Sequence, residues 1–243
     1  MPFTIYPAID IRDGHAVRLQ QGRADAQTVY DADPVAVARR FVDQGAQWLH
    51  VVDLDAAFDG EPRNRHLISD IIDATGIDVQ ASGGIRSMAD LDASINYGAS
   101  RVVLGTMALE EPSFVAAAVA EHGDRIAVGL DADGTTLKAR GWTTESGDLF
   151  EALRRFTLMG VARFVFTDID RDGMLSGPNT ERLAEVAEAT TARVTASGGV
   201  SGLDDLRALA TTHERVDGAI VGKALYAGHL DLPEALAAIG ESA

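Results

Sequence analysis

Three observations point to one fold class. Short apolar and β-branched runs alternate with longer amphipathic stretches along the whole chain, the pattern of βα units on a parallel sheet. The length of 243 residues is close to the ~250 typical of an eight-unit barrel. The sequence also resembles itself at a fixed offset of 115 residues. Together these predict an α/β chain folded as a single (βα)8 TIM barrel over 1–243, with repeat-related halves of about 1–122 and 123–243.

Taken in order, the first strand is the apolar run 3–9, and the first helix, 34–45, opens on Asp33-Pro34 and stops at Gly45. Proline suits a first helical turn and glycine a helix end. Strand 48–53 and helix 64–75 follow, the helix closed by Gly76; then strand 77–82 and helix 87–97, closed by Gly98. Strand 101–104 leads to helix 111–121, which opens on Glu111-Pro112 and ends before Gly123. The second half repeats the alternation with strands 125–131, 162–167, 192–197 and 218–222. Its helices are 148–159, closed by Gly160, then 179–189 after Gly177-Pro178, 202–211 and 232–239.

The repeat pairs Phe41 with Phe156, Asp53 with Asp168, Asp55 with Asp170 and Asn64 with Asn179. The same register aligns Ala81-Ser82-Gly83-Gly84 with Ala196-Ser197-Gly198-Gly199. One offset held over about fifty residues favours a two-fold barrel over a doubly wound open sheet, whose chance matches would scatter.

Composition narrows the function classes. With no cysteine, disulfides, thiolate metal sites and cysteine nucleophiles are excluded, which fits a cytoplasmic protein. Neither a signal peptide nor a run of ~20 apolar residues is visible, so no membrane association is expected. A formal net charge of −16 argues against nucleic acid and anionic membranes as partners. An anionic substrate would then have to be held by local backbone N–H groups and a few placed cations.

Barrel chemistry sits at the C-terminal ends of the strands. Ser82-Gly83-Gly84-Ile85-Arg86 follows strand three and Gly105-Thr106 follows strand four; Ser197-Gly198-Gly199 and Gly222-Lys223 occupy the matching places after strands seven and eight. Glycine there lets backbone N–H groups approach a phosphate oxygen. A single Gly-Gly turn carries little, but two matched pairs predict two phosphate cradles about a barrel's width apart. Arg86, Thr106 and Lys223 are candidates to add ligands or charge.

Asp10 and Asp131 close the first and fifth strands, opposite each other in an eight-stranded ring. A carboxylate closing an apolar strand is costly without a purpose, and an opposed pair suits proton abstraction by one and donation by the other. Asp53 and Asp55 read as structural, whereas Asp172 is open to either reading. Arg18 in the first loop and Arg140-Gly141-Trp142 in the fifth offer charge and a flat surface for stacking. The six histidines show no metal-ligand spacing, His50 reads as a satisfied core residue, and no metal is predicted.

These motifs, with Val52-Asp53-Leu54-Asp55, Thr167-Asp168-Ile169, Asp172-Gly173, Gly177-Pro178-Asn179 and Ile220-Val221-Gly222-Lys223, resemble the ProFAR isomerase family of histidine biosynthesis over nearly the whole chain. The closest similarity is to the actinobacterial branch, whose members also act on phosphoribosylanthranilate in tryptophan biosynthesis. The resemblance implies a cofactor-free aldose–ketose (Amadori) isomerase with Asp131 as acid and Asp10 as base. It implies a substrate-binding set of Arg18, Ser82, Gly84, Arg86, Gly105, Thr106, Arg140, Trp142, Thr167, Asp172, Gly173, Gly177, Gly199, Gly222 and Lys223. It further implies a monomer whose partner is a small phosphorylated substrate. Ser82 and the pair Arg18 and Arg140 favour use of both substrates. The acidic second loop, Asp170, Met174 and Gln80-Ala81 depart from the family pattern and leave a single-substrate isomerase open. The rival is the cyclase subunit of imidazole glycerol phosphate synthase, which would call for a lysine where Arg18 stands and for a glutaminase partner.

Overall fold

The structure, a computed structural model, describes residues 3–20 and 23–240, without the side chains of 18–20, 23–27, 29 and 30. Eight parallel strands close into a ring: β1 (Thr4–Arg12), β4 (Trp48–Asp53), β5 (Asp78–Ser82), β6 (Arg101–Leu104), β7 (Ile126–Asp133), β10 (Arg163–Asp168), β11 (Arg193–Ser197) and β12 (Val216–Val221). Each pairs in parallel with its neighbour, and the β7–β10 and β12–β1 pairings shut the barrel. The expected (βα)8 architecture is therefore present. Strand eight starts two residues earlier than predicted because Val216 and Asp217 join it, and Gly222 lies just beyond its end.

The eight connecting helices are α1 (Pro34–Asp43), α3 (Arg65–Thr75), α4 (Met88–Asn96), α6 (Pro112–His122), α7 (Leu149–Leu158), α8 (Thr180–Glu188), α9 (Leu203–Thr212) and α11 (Leu232–Gly240). Local chemistry sets their ends. Asp33 caps α1 by accepting from Val35 N at 2.9 Å, and Asp148 caps α7 from Phe150 N at 2.9 Å. Gly76 ends α3 in the left-handed conformation at φ 64°.

Two hairpins and three short helices escaped the sequence reading. β2 (His15–Gln20) and β3 (Arg23–Asp31) extend β1, and β8 (Thr136–Ala139) and β9 (Thr144–Asp148) extend β7, all antiparallel. Asp10 and Asp131 consequently do not close their strands, as the sequence suggested. β1 runs on to Arg12 and β7 to Asp133, because each continues into its hairpin. The hairpins stand at equivalent places in the two halves. The short helices are α2 (Leu54–Phe58), α5 (Thr106–Glu110) and α10 (Lys223–Tyr226), each starting directly after a strand end.

The main core lies between strands and helices, where Phe156, Leu153, Phe164 and Leu104 are fully buried. A second, smaller cluster fills the barrel interior with Tyr6, Ala8, Val103, Ala127, Val165 and Ile220. Beneath it, at the N-terminal ends of the strands, the floor is polar. Arg163 grips Asp217 through both guanidinium nitrogens, Nη2 at 2.6 Å, and donates to Thr195 at 2.9 Å. Arg101 donates to Gln80 Oε1 at 3.0 Å and Tyr6 Oη at 3.2 Å, and lies 4.5 Å over the Trp48 ring. The layered interior makes this barrel a packed plug with one working end.

Candidate active site

The C-terminal strand ends surround one cavity of about 660 Å³. Three strands separate β1 from β7 in either direction round the ring, so Asp10 and Asp131 face one pocket from opposite walls. Among the described side chains and glycines, all the site residues predicted from sequence line it except Gly177. Gly177 is not among the lining residues: its N–H donates to Gly199 O at 3.0 Å and its carbonyl accepts from Arg171, which leaves no backbone donor for a phosphate oxygen. The side chain of Arg18 lies outside the described residues, although its backbone belongs to β2.

Asp131 is held by two donors. The Trp142 indole N–H donates to Oδ2 at 2.8 Å, and the Thr167 hydroxyl, on the neighbouring strand and in register with Asp131, bonds it as well. Burial pushes the Asp131 carboxyl above the usual carboxylate range, and these two bonds only partly oppose the shift. A carboxyl kept protonated further towards neutral pH suits an acid.

Trp142 owes its position to an unusual turn. Arg140, Gly141 and Trp142 all have positive φ, at 53°, 62° and 68°, a left-handed run that only glycine adopts without strain. Neighbours hold it. Arg140 N–H donates to Thr106 Oγ1 at 2.9 Å, and Arg140 Nε donates to Glu110 Oε1 at 2.6 Å, both on α5. Phe58 of α2 packs so closely on Gly141 that a Cβ there would stand 2.5 Å from the ring. Sequence reading gave Trp142 a stacking role only, since spacing cannot reveal its bond to Asp131.

The glycine pairs have a second reason to exist. A Cβ on Gly83 would stand 2.2 Å from Asp53 O, and one on Gly84 2.2 Å from the Ala56 Cβ. In the other half, Gly198 meets Asp168 O at 2.9 Å and Gly199 meets Gly177 O at 2.5 Å. Each cradle is thus pressed against the loop after the preceding strand. That loop is pinned by the same bond in both halves: Asn64 Nδ2 donates to Asp53 Oδ1 and Asn179 Nδ2 to Asp168 Oδ2, each at 2.8 Å. Asp53 and Asp55, 1% and 2% exposed, are structural, as their spacing implied. Asp55 ties Asp13 N at 2.8 Å and Asn64 Nδ2 at 2.6 Å.

Positive charge converges on the second cradle through Lys223, whose Nζ donates to Gly173 O at 2.7 Å. Arg86, Lys138 and Arg140 line the pocket on the other side. Sequence reading placed His50 in the core, and it is buried, yet it also lines the pocket. Its Nδ1 lies 3.1 Å from Gln80 Nε2, and Gln80 Oε1 is committed to Arg101. The amide nitrogen can only donate, so His50 accepts at Nδ1 and a neutral ring carries its proton on Nε2. The signal for His50 was the strand alternation that puts Trp48, His50 and Val52 on one face; Phe58 had none.

A (βα)8 barrel whose strand ends gather opposed carboxylates, backbone cradles and cations over one cavity is an enzyme barrel. Residues 4–231 match the family described as histidine biosynthesis protein, and the chain belongs to that family. It is 54% identical over 241 residues to a protein of Parafrankia sp. (strain EAN1pec), covering 99% of this chain and 97% of that one. That relative is named 1-(5-phosphoribosyl)-5-((5-phosphoribosylamino)methylideneamino) imidazole-4-carboxamide isomerase. A protein of Bifidobacterium longum subsp. infantis with the same name is 52% identical over 240 residues, 98% of this chain and 99% of its own. Frankia casuarinae has another, 54% identical over 240 residues, 99% of this chain and 94% of its own.

Proposed function

We propose that this enzyme isomerises ProFAR, the aminoaldose ribonucleotide in its relatives' names, to the corresponding aminoketose in histidine biosynthesis. The observation that carries the reading is the pair of opposed aspartates sharing a cavity with a glycine cradle on either side. Asp131, held by Trp142 and Thr167, donates a proton to the ribose ring oxygen, and the ring opens to a Schiff base. Asp10 then removes the C2′ proton, and the resulting enolamine tautomerises to the ketone. Only protons move, so the residues described supply the chemistry without a cofactor or metal. One phosphate occupies Gly84, Arg86, Gly105 and Thr106; the other occupies Gly173, Gly199, Gly222 and Lys223. Ser82 and Asp172 line the same cavity.

A second substrate, phosphoribosylanthranilate, fits the same reading. Arg140 lines the pocket and presents a planar guanidinium suited to the anthranilate carboxylate, and Trp142 beside it suits the aromatic ring. The protein works, on this reading, as a cytoplasmic monomer and one folding unit over 1–243, its halves about 1–122 and 123–243. Among the described residues no helix is long and apolar enough to cross a membrane.

Purified protein should turn over ProFAR and phosphoribosylanthranilate, and Asp10→Asn and Asp131→Asn should each lose on the order of 10²–10⁴-fold in kcat. No turnover of ProFAR refutes the isomerase; turnover of ProFAR alone removes the second substrate. Sedimentation at assay concentration tests the monomer.

A further inference from the structure

Thr106 faces two ways. It lines the cavity at the first glycine cradle, beside Gly105, and its Oγ1 accepts the Arg140 N–H at 2.9 Å. A threonine hydroxyl accepts through its lone pairs and donates through its single hydrogen. Accepting from Arg140 therefore leaves the hydrogen for an anionic oxygen in the cradle. Arg140 is the first residue of the left-handed turn that ends at Trp142, and Trp142 Nε1 donates to Asp131 Oδ2 at 2.8 Å.

That turn needs support. Two of its three residues are not glycine, and left-handed backbone is strained at each of them. The Arg140–Glu110 ion pair is exposed, with side chains 65% and 39% accessible, and such pairs hold weakly. Phe58 bears on Gly141 from the other side of the loop but offers it no hydrogen bond. Thr143 Oγ1 donates to Arg140 O at 2.7 Å from within the loop, and the Thr106 hydroxyl ties the turn's first residue to α5 through the Arg140 N–H. Deleting it frees the Arg140 N–H to seek water and removes a reason for the strained conformation to persist.

We infer that Thr106 is a positioning residue for the proton donor: from the first cradle it holds the turn that sets Trp142 on Asp131. The inference rests on the isomerase reading for its kinetic consequence but not for its structural one. It links the cradle to the acid through two hydrogen bonds, Thr106 to Arg140 and Trp142 to Asp131, joined by the backbone of the turn, so the group that grips the substrate's end also arranges its chemistry.

Thr106→Val keeps the branched shape and deletes the hydroxyl; Thr106→Ser restores it. Acrylamide quenching of Trp142 is read as the difference between each protein and its counterpart carrying Trp142→Phe, which subtracts Trp48. In the free protein, quenching of Trp142 should rise in Thr106→Val and return towards wild type in Thr106→Ser. With ProFAR, kcat should fall on the order of tenfold to a hundredfold in Thr106→Val, the cost of a displaced catalytic group, and recover with serine. Circular dichroism and melting establish that each variant is folded, with Thr106→Ala replacing the valine variant should that one fail. Unchanged Trp142 quenching overturns the inference, as does a rise in KM with kcat intact, which is the mark of a phosphate ligand and nothing more. A wild-type protein that turns over no substrate refutes the isomerase reading alone, and the quenching result still decides the role of Thr106.

Discussion

Replacing Trp142 with phenylalanine keeps a flat apolar ring and deletes the indole N–H that donates to Asp131 Oδ2 at 2.8 Å. That bond favours the charged carboxylate and holds the Asp131 pKa below the level that burial alone would set. A hydrogen bond to a charged group is worth about 1.5–3 kcal/mol, and Trp142 is half exposed, so the lower end applies. Loss of that bond should therefore raise the Asp131 pKa further in Trp142→Phe. The sign follows from its proposed role. As a general acid Asp131 acts while protonated, so activity falls as pH rises through its pKa, and a higher pKa carries that limb to higher pH. The profile of kcat/KM with ProFAR reports groups of the free enzyme, where the indole bond is seen. Lost stacking on the substrate lowers the whole curve without moving its limbs, and phosphate titration of the substrate is common to both proteins. An alkaline limb that stays within about 0.3 pH units of wild type, or moves down, refutes the assignment of Asp131 as a proton donor tuned by Trp142.

The same burial makes Asp131 a stability liability. A carboxyl whose folded pKa is raised costs the fold stability once pH exceeds its unfolded value, so Asp131→Asn should melt higher than wild type at pH 7. The gap should close as pH falls towards about 4, and a variant less stable at pH 7 contradicts the raised pKa. Gly199→Ala would drive a methyl to 2.5 Å from Gly177 O at a φ of 86°; calorimetric titration with inorganic phosphate should show one site lost while the other, at Gly84, persists. Gly141→Ala forces a Cβ to 2.5 Å from the Phe58 ring, and crystallography or Trp142 fluorescence should find the turn displaced. At the barrel floor, Arg163→Met strands a nearly buried Asp217 and should cost about 3–5 kcal/mol in denaturant titrations, with kcat of the folded enzyme unchanged.

Alternation of apolar strands with capped helices was legible because it depends on local chemistry. Asp33, Asp148 and the glycines at helix ends act within a few residues of where they are read. The hairpins after β1 and β7 were not legible. Their runs are polar, and they are strands only because the β1 and β7 edges continue past the barrel to receive them. The opposition of Asp10 and Asp131 followed from counting strands, since closure fixes which strands face each other. The bond from Trp142, the pairing of Arg140 with Glu110 and the withdrawal of Gly177 depend on left-handed turns and on contacts across loops. No sequence period encodes these. The repeat carried the furthest, for it predicted paired loops whose Asp–Asn bonds have the same length in both halves.

The two pinned loops are nevertheless unequal. In the first half, Asp55 and Asn64 also take the backbone N–H groups of Asp13 and Gly14, so the loop after β4 and the root of the first hairpin move as one body. In the second half the matching Asp170 is exposed, and Asn179 turns to its own helix at Arg182. Edits to residues 169–177 are felt at the second cradle, through Lys223 and Gly199, while any edit to 53–64 reaches the hairpin that carries Arg18. A lineage or a laboratory adapting this barrel to new substrates therefore meets a different coupling on each side of the mouth, a hairpin on one and a glycine cradle on the other.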